Sequence, residues 1–335
     1  MKFAVDAFGG DNSPGAIIEG CAMALGCYDD FSLILTGDKE IIKRELSKYD
    51  LDNSRIEIIH APEIISMEDK PSLAIKHKKN SSMVKALELV RDKEAECFVS
   101  AGSTGAMLTG ATLLVGRMKG VKRPALAPVL PALKGCVLLL DVGANTDCKP
   151  LYLQQFALMG KAYMQGVMNI ENPRIGLINN GTEAEKGNEL TKEAYKLLKQ
   201  TPVNFLGNCE ARDILSGDFD VLVCDGFVGN IVLKFMEGFA GTLFGILKEE
   251  LTKGLRVKIG AAISKPAFRS IKKKLDYTEY GGAPLLGIDG GIIKAHGSSD
   301  AKAICSAINQ ARRYASAGVN DTIRNAIACV QTPED

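Results

Sequence analysis

Cys97-Phe-Val-Ser-Ala-Gly-Ser-Thr-Gly-Ala106 starts as an apolar strand and empties into a turn of glycines and hydroxyls. Met107 to Val115, which follow, are apolar and helical in pattern. A strand that leaves through a small polar turn into a helix is half of a βαβ unit, from which parallel sheets are built. The same sentence is written elsewhere in the chain. Phe3-Ala-Val leads through Asp6-Ala-Phe-Gly-Gly-Asp-Asn-Ser-Pro14 to a helix over 16–25, and Phe31 to Leu35 leads through Thr36-Gly-Asp38 to a charged helix over 39–49. Ile56 to Ile59 is a strand, and a loop over 61–71 precedes a helix expected from about Ser72 to Arg91. Pro124 to Leu133 and Gly135 to Leu140 read as two apolar strands, the second ending in Asp141-Val-Gly-Ala-Asn-Thr-Asp147. Arg174 to Ile178 and Asp220 to Cys224 end in polar loops at 179–188 and 225–230. An α/β fold with a mostly parallel sheet is expected, and its ligand belongs outside the carboxyl ends of the strands, where these loops converge.

Composition agrees with a large α/β unit. The 335 residues are 46% apolar, with 34 glycines, 12 prolines and no tryptophan, and neither a repeat nor a low-complexity linker divides them, so residues 1–335 are expected to form one compact unit. Lys and Arg number 41 against 40 Asp and Glu, which leaves no overall field for a nucleic-acid partner. Nine cysteines occur without Cys-x-x-Cys spacing, so neither structural zinc nor a disulfide framework is expected, and the thiols suit a reducing cytosol. The N-terminus turns acidic and glycine-rich too early for a signal peptide. No apolar run approaches the ~20 residues that cross a bilayer, so the expectation is a soluble or peripheral protein.

The strand-exit loops supply the candidate site. Gly9, Gly10 and Asp11 present backbone N–H groups and a helix start to an anion, although Asp11, Asn12 or Ser13 before Pro14 also reads as a simple helix cap. Gly102, Ser103, Thr104 and Gly105 form a second cradle with two hydroxyls. Asp6, Asn145, Lys186, Asn188, Asp225 and Asn230 occupy the other exits. Asp6, Asp11, Asp141 and Asp225 are oxygen donors that serve loop hydrogen bonds as well as a cation would, so no metal is assigned. The glycine-rich run 279–299 contains Gly281 and Gly282 and closes in His296-Gly-Ser298-Ser299, an imidazole beside two hydroxyls; a β-hairpin is its plainest reading. Neither a dinucleotide fingerprint nor a phosphate-loop lysine motif occurs, and no cofactor is expected.

Residues 230–248 carry Val232, Phe235, Met236, Phe239, Leu243 and Leu247 on one side of a helix, a stripe wider than a surface helix needs. A helix buried in the core or at a homodimer interface is expected. From Lys253 to Lys274 eight basic residues and no acid interleave with Val257, Ile259, Ile263 and Phe268. Such a segment suits an anionic membrane or an acidic protein, and equally a solvated basic face. The whole of 230–275 is thus expected to serve dimerisation and peripheral contacts.

Ala4-Val-Asp-Ala-Phe-Gly-Gly-Asp11, Ala101-Gly-Ser-Thr-Gly105, Asp141-Val-Gly-Ala-Asn145, Lys186-Gly-Asn188, Asp225-Gly-Phe-Val-Gly-Asn230, Tyr280-Gly-Gly-Ala-Pro-Leu-Leu-Gly287 and Ala295-His-Gly-Ser-Ser299 resemble, in order and spacing, the phosphate acyltransferases of bacterial phospholipid synthesis. Asn12 stands where that family commonly has histidine, and 179–185 departs from its more continuous acidic run, so neither Asn12 nor Glu183 receives a catalytic role. The resemblance implies a three-layer α/β/α fold related to phosphotransacetylase and the isocitrate dehydrogenase group, working as a cytoplasmic homodimer that touches the membrane surface. It implies a reaction of long-chain acyl-acyl carrier protein (acyl-ACP) with inorganic phosphate, giving acyl phosphate for a membrane glycerol-3-phosphate acyltransferase.

Such chemistry needs positioning and charge stabilisation more than a covalent nucleophile, because phosphate is itself nucleophilic. Ser103, Thr104 and nearby backbone N–H groups are expected to hold phosphate, Lys186 and Asn230 to stabilise developing charge, and His296 to orient or proton-balance the phosphate. A CoA-dependent enzyme for short acyl chains, a dehydrogenase of related fold and a non-enzymatic scaffold recruiting ACP or lipid are the rival readings.

Overall fold

The computed structural model describes residues 1–275 and 280–330, without the side chains of residues 255 and 272–275; Glu279, at the head of the glycine-rich run, lies outside the described residues. The strands are β1 (Lys2–Asp6), β2 (Ser32–Gly37), β3 (Ile56–His60), β4 (Cys97–Ser100), β5 (Ala125–Leu126), β6 (Val129–Pro131), β7 (Cys136–Leu140), β8 (Arg174–Asn179), β9 (Asn204–Glu210), β10 (Val221–Val223), β11 (Ala283–Leu286) and β12 (Gly291–Lys294). The α-helices are α1 (Gly15–Cys27), α2 (Lys39–Leu46), α3 (Pro71–His77), α4 (Ser82–Arg91), α5 (Thr104–Gly110), α6 (Pro150–Gly166), α7 (Glu189–Gln200), α8 (Gly226–Leu251), α9 (Leu255–Ile263), α10 (Lys265–Leu275), α11 (Ala301–Ser316) and α12 (Val319–Ala328).

The strands are mostly parallel, as expected, but they form two sheets. One runs β3-β2-β1-β4-β12-β11-β5 and the other β6-β7-β10-β8-β9. Among the strands of the described residues, the pairings of β11 with β12 and β5, and of β6 with β7, are antiparallel. Strands buried on both faces explain the continuous apolar runs. Phe3 and Val5 of β1 enter one apolar cluster with Leu138 and Leu140 of β7, whereas Ala4 enters a second with Val137 and Leu139. Each cluster therefore spans both sheets, with helices on either side, in three layers.

The expected strand over 124–133 is two strands. β5 belongs to the first sheet and β6 to the second, with only Ala127 and Pro128 between them. Asp141, at the end of β7, holds this seam. Its fully buried carboxylate accepts the N–H of Leu126 (2.9 Å), Ala144 (3.1 Å) and Asn145 (2.6 Å), and the Asn145 side-chain amide (2.9 Å).

Three other expectations change. The helix expected from 72 to 91 breaks into α3 and α4, with 78–81 between them. Ser81 caps α4, while Lys78 Nζ is drawn to Ile64 O (2.9 Å) and Asp69 (2.6 Å). No side chain caps α1 at Pro14. Ser13 instead donates to the carbonyls of Gly10 and Phe8, and Asn12 donates to those of Ser298 and Ser299.

The third concerns α8, which is not a core helix. Only Gly226 and Gly229 are buried on it, and Phe235 and Phe239 stack at 6.0 Å with 69% and 57% of their surfaces exposed. Its 26 residues, with a window of mean hydropathy 1.3, also correct the expectation that no run is long and apolar enough for a bilayer. The scattered lysines and glutamates of 234–250 mask that length in the sequence. Its first turn is nonetheless pinned inside the protein: Asp225 caps it by accepting Val228 N–H (2.9 Å), and Gly226 N–H bonds to Asn145 O (2.7 Å).

Two substitutions test this seam. A methyl at Gly229 would overlap the Asp141 carbonyl and meet Cys224 Sγ at 2.9 Å, so Gly229→Ala is expected to cost roughly 1–3 kcal/mol of unfolding free energy in urea titration. Asp141→Asn replaces one acceptor oxygen by a donor and is expected to cost roughly 1–3 kcal/mol for each N–H left unpaired, read the same way.

Candidate active site

The loops after β1, β4 and β12 meet with almost no space between their backbones. An added Cβ on Gly9 would lie 2.6 Å from Asp6 Oδ2 and 2.7 Å from both Gly102 N and Ser100 Oγ. Gly10 has φ +94° and faces Ala101 Cβ and Gly297 O, each 2.8 Å from such an atom. Asp11 N–H donates to Gly297 O (2.8 Å), which ties the first loop to the last. Underneath, buried Asp6 accepts Ser100 Oγ–H (2.8 Å) and Phe8 N–H (3.2 Å), and Ser100 Oγ accepts Gly102 N–H (2.9 Å). Burial pushes the Asp6 carboxyl up from the usual range, against the hydrogen bonds from serine and backbone.

Above this layer a cavity of about 240 Å³ opens at the seam between the sheets. Leu126, Pro128, Val129, Val142 and Leu233 make an apolar wall. Thr104, Asn230, Lys294, His296 and Ser299 make a polar one, with Lys234 and Glu237 of α8 alongside. Lys234 and Glu237 are themselves ion-paired at 2.7 Å.

Thr104, Asn230, Gly281, Gly282 and His296, all expected from sequence, line this cavity together. The expected hairpin over 279–299 exists as β11 and β12, and it forms one wall. Asp6, Gly9, Gly10 and Gly102 belong to the packed layer behind it, and Asp11 joins that layer through its backbone N–H while the residue itself is exposed. Ser103 caps α5 through Ala106 N–H, and Gly105 lies against Pro71. Ser298 orients His296: its backbone N–H reaches Nδ1 (3.2 Å), and its Oγ lies 2.8 Å from the same atom. A backbone N–H only donates, so Nδ1 is the acceptor and the neutral ring carries its proton on Nε2.

The second sheet contributes differently. Asn145 braces its own loop, donating to Pro124 O (2.7 Å) and Asp141. Asp225 and Asn188 cap α8 and α7. Lys186 and Asn188 lie on the exposed loop after β8, outside the cavity lining. Cys148 and Cys224, near the Asp141 loop, are poor nucleophiles: burial pushes the Cys148 thiol up to about 12 and that of Cys224 well above its ordinary value.

Lys294, Lys234 and Glu237 were not singled out by sequence reasoning, and Ser299 was noted only as one of the two hydroxyls beside His296. Lys294 is the most informative, only 8% exposed, with Nζ bonded to the carbonyls of Ala101 (3.2 Å) and Ala295. Burial brings its ammonium down to about 8, against the pull of Asp6 and Asp11 and with the push of Lys234. The available signal was a lysine closing the apolar Gly-Ile-Ile run, directly before Ala-His-Gly-Ser-Ser.

Residues 1–322 match the family model of fatty acid synthesis proteins. The chain is 53% identical over 315 residues to a phosphate acyltransferase of Clostridium perfringens, covering 94% of this chain and 93% of that one. It is 51% identical over 327 residues to the phosphate acyltransferase of Clostridium novyi, covering 98% of each. Among solved structures, the EutD phosphotransacetylase of Staphylococcus aureus matches with TM-score 0.61 at 16% identity over 93% of this chain and 94% of its own. A phosphotransacetylase of Streptococcus pyogenes matches with the same TM-score and identity over 94% of each chain. These two structural likenesses bear on the α/β fold, while the sequence matches reach further: this chain belongs to the fatty acid synthesis protein family that includes the clostridial phosphate acyltransferases.

Proposed function

We propose that this protein transfers a long acyl chain from acyl-ACP to inorganic phosphate, giving acyl phosphate and free ACP. The observation that carries the reading is one cavity with two chemistries: Thr104, Asn230, His296 and Ser299 on one wall, and Leu126, Pro128, Val129, Val142 and Leu233 on the other. The polar wall suits phosphate and the thioester carbonyl, and the apolar wall suits the first methylenes of an acyl chain. In the reaction a phosphate oxygen bonds to the thioester carbon, an oxyanion develops on the carbonyl, and the C–S bond breaks. The sulfur leaves as a thiolate of pKa about 8.5, which needs little acid assistance, so charge stabilisation dominates. Thr104 holds phosphate, Asn230 donates to the developing oxyanion, and His296, protonated on Nε2, donates to the phosphate. Lys186 serves from the exposed rim of the second sheet.

The remaining contacts belong to the same proposal. A second copy covers the exposed aromatic stripe of α8, and α9 and α10, with exposed Val257, Ile259 and Ile263 among basic residues, meet ACP or an anionic membrane surface from the cytoplasmic side. There the acyl phosphate passes to a membrane glycerol-3-phosphate acyltransferase. Likeness of fold to phosphotransacetylases keeps a CoA-dependent short-chain reaction as the second reading.

Phosphate-dependent release of the ACP thiol from a long-chain acyl-ACP is the deciding assay. Release is expected to require phosphate and to exceed that from acetyl-CoA; equal or faster use of acetyl-CoA supports the second reading instead. Asn230→Ala is expected to lower kcat by roughly a hundredfold with folding intact. Lys186→Ala separates two roles: a comparable loss in kcat assigns it to the reacting carbonyl, and a raised KM for acyl-ACP alone assigns it to carrier docking.

A further inference from the structure

Lys294 is a buried ammonium on the cavity wall whose direct partners are neutral. Two of its three N–H donors are taken by the carbonyls of Ala101 and Ala295. Among the described residues it makes no ion pair, and the carboxylates of Asp6 and Asp11 act on it only through space. Asp6 is already engaged by Ser100 and Phe8, and Glu237 by Lys234. Carbonyl partners orient a cation without neutralising it, and an uncompensated charge is costly where water is excluded. The ammonium thus lacks a directly bonded anion, next to Thr104, His296 and Ser299, all of which can donate to an oxyanion.

We propose that Lys294 is a catalytic residue that receives a phosphoryl oxyanion in this cavity, with its third N–H and its charge, while Asp6 and Ser100 act as positioning residues behind it. Because it rests on the reading of the cavity as a phosphate site, the inference goes beyond that reading only in naming the cation. The ordering is physical. Ser100 links the Asp6 carboxylate to Gly102 N–H, and Ala101, between them, supplies a carbonyl to Lys294. The ammonium is therefore aimed by the same three-loop contact that shapes the cradle. Two sources offer the required oxyanion: inorganic phosphate, and the phosphodiester of the carrier's pantetheine arm. Lys294 shares the polar lining of the cavity with Thr104, where the first reading holds inorganic phosphate, and this favours the former.

Proton linkage follows from the geometry. Bound phosphate holds Lys294 charged, so the lysine's share of the phosphate affinity is expected to be present below about pH 8 and to be lost as the pH rises through it, where the free protein loses the proton. The groups facing Lys294 are Asp6 and Asp11 from the first loop, Lys234 with its partner Glu237 from α8, and His296 from its own loop.

The test is calorimetric titration of the full chain with inorganic phosphate, without acyl donor, for the parent protein, Lys294→Met and Lys294→Arg. Lys294→Met is expected to weaken phosphate binding by about tenfold to a hundredfold while leaving ACP binding unchanged, and Lys294→Arg to retain part of the affinity. In buffers of different ionisation enthalpy the parent is expected to take up protons near pH 8, and Lys294→Arg, permanently charged, to lose that uptake. A folded Lys294→Met that binds phosphate like the parent overturns the inference. So does a Lys294→Met defect confined to the KM for acyl-ACP, which assigns the lysine to the pantetheine phosphodiester. Should Lys294→Met not fold, the parent and Lys294→Arg decide: equal proton uptake in both overturns it. No phosphate binding by the parent would instead remove the phosphate reading of the cavity itself.

Discussion

The architecture depends on backbones that approach more closely than any side chain permits. Gly9, Gly10 and Gly102 bring the exits of β1 and β4 into contact with each other and with the 295–299 loop, at distances where a methyl group would collide with polar atoms. That contact buries Asp6 and Ser100, and Asp6 accepts from Ser100 and Phe8 N–H while Ser100 accepts from Gly102 N–H. Through it the positions of Thr104, Lys294 and His296 become mutually dependent. A site assembled from four separate regions of the chain is thereby tied together by close backbone contacts and buried hydrogen bonds, the kind of arrangement that electrostatic preorganisation requires.

The second sheet solves a different problem. Asp141 gathers four donors at the seam, and the short passage through Ala127 and Pro128 carries the chain from one sheet to the other. Pro128 of that passage, with the flanking Leu126 and Val129, lines the apolar side of the cavity, so the seam and that side of the cavity are the same structure. The first turns of α8 close the cavity with Asn230, Leu233 and Lys234, and the rest of the helix runs outward. Lys294 is held in this half-dry environment at a real cost in desolvation, which a purely structural lysine would avoid by reaching solvent.

Much of this was legible in the residues. Polar, glycine-bearing exits such as Gly102 to Gly105 mark strand ends whatever the tertiary arrangement, so the parallel α/β pattern and the convergence of Thr104, Asn230 and His296 followed from local signals. Division into two sheets was not legible, because Pro124 to Leu133 is one apolar run and the change of partners at Ala127 is a matter of long-range pairing. The exposure of Phe235 and Phe239 was hidden for the same reason: amphipathic spacing reports that a face is apolar, not what covers it. Asn145, Asn188 and Asp225 show the limit of motif reading. Each has the chemistry of a ligand-binding residue, and each makes its observed hydrogen bonds as a cap or a brace. Lys294 escaped notice because a single lysine after Gly-Ile-Ile looks like an ordinary strand terminus until its burial is known.

The pairing of β12 with β4, Gly291 against Cys97, has a consequence for how the chain is made. The four N-terminal strands β1 to β4 are synthesised first, yet the exposed edge of β4 finds its neighbour only when residues 291–294 emerge. All five strands of the second sheet, by contrast, come from one continuous stretch, 129–223. On a ribosome the second sheet is therefore completed while the first still presents an open, apolar edge, the situation in which nascent chains pair with the wrong partner. Closure of the first sheet and assembly of the cavity are the same late event, so a chain truncated before Lys294 lacks both.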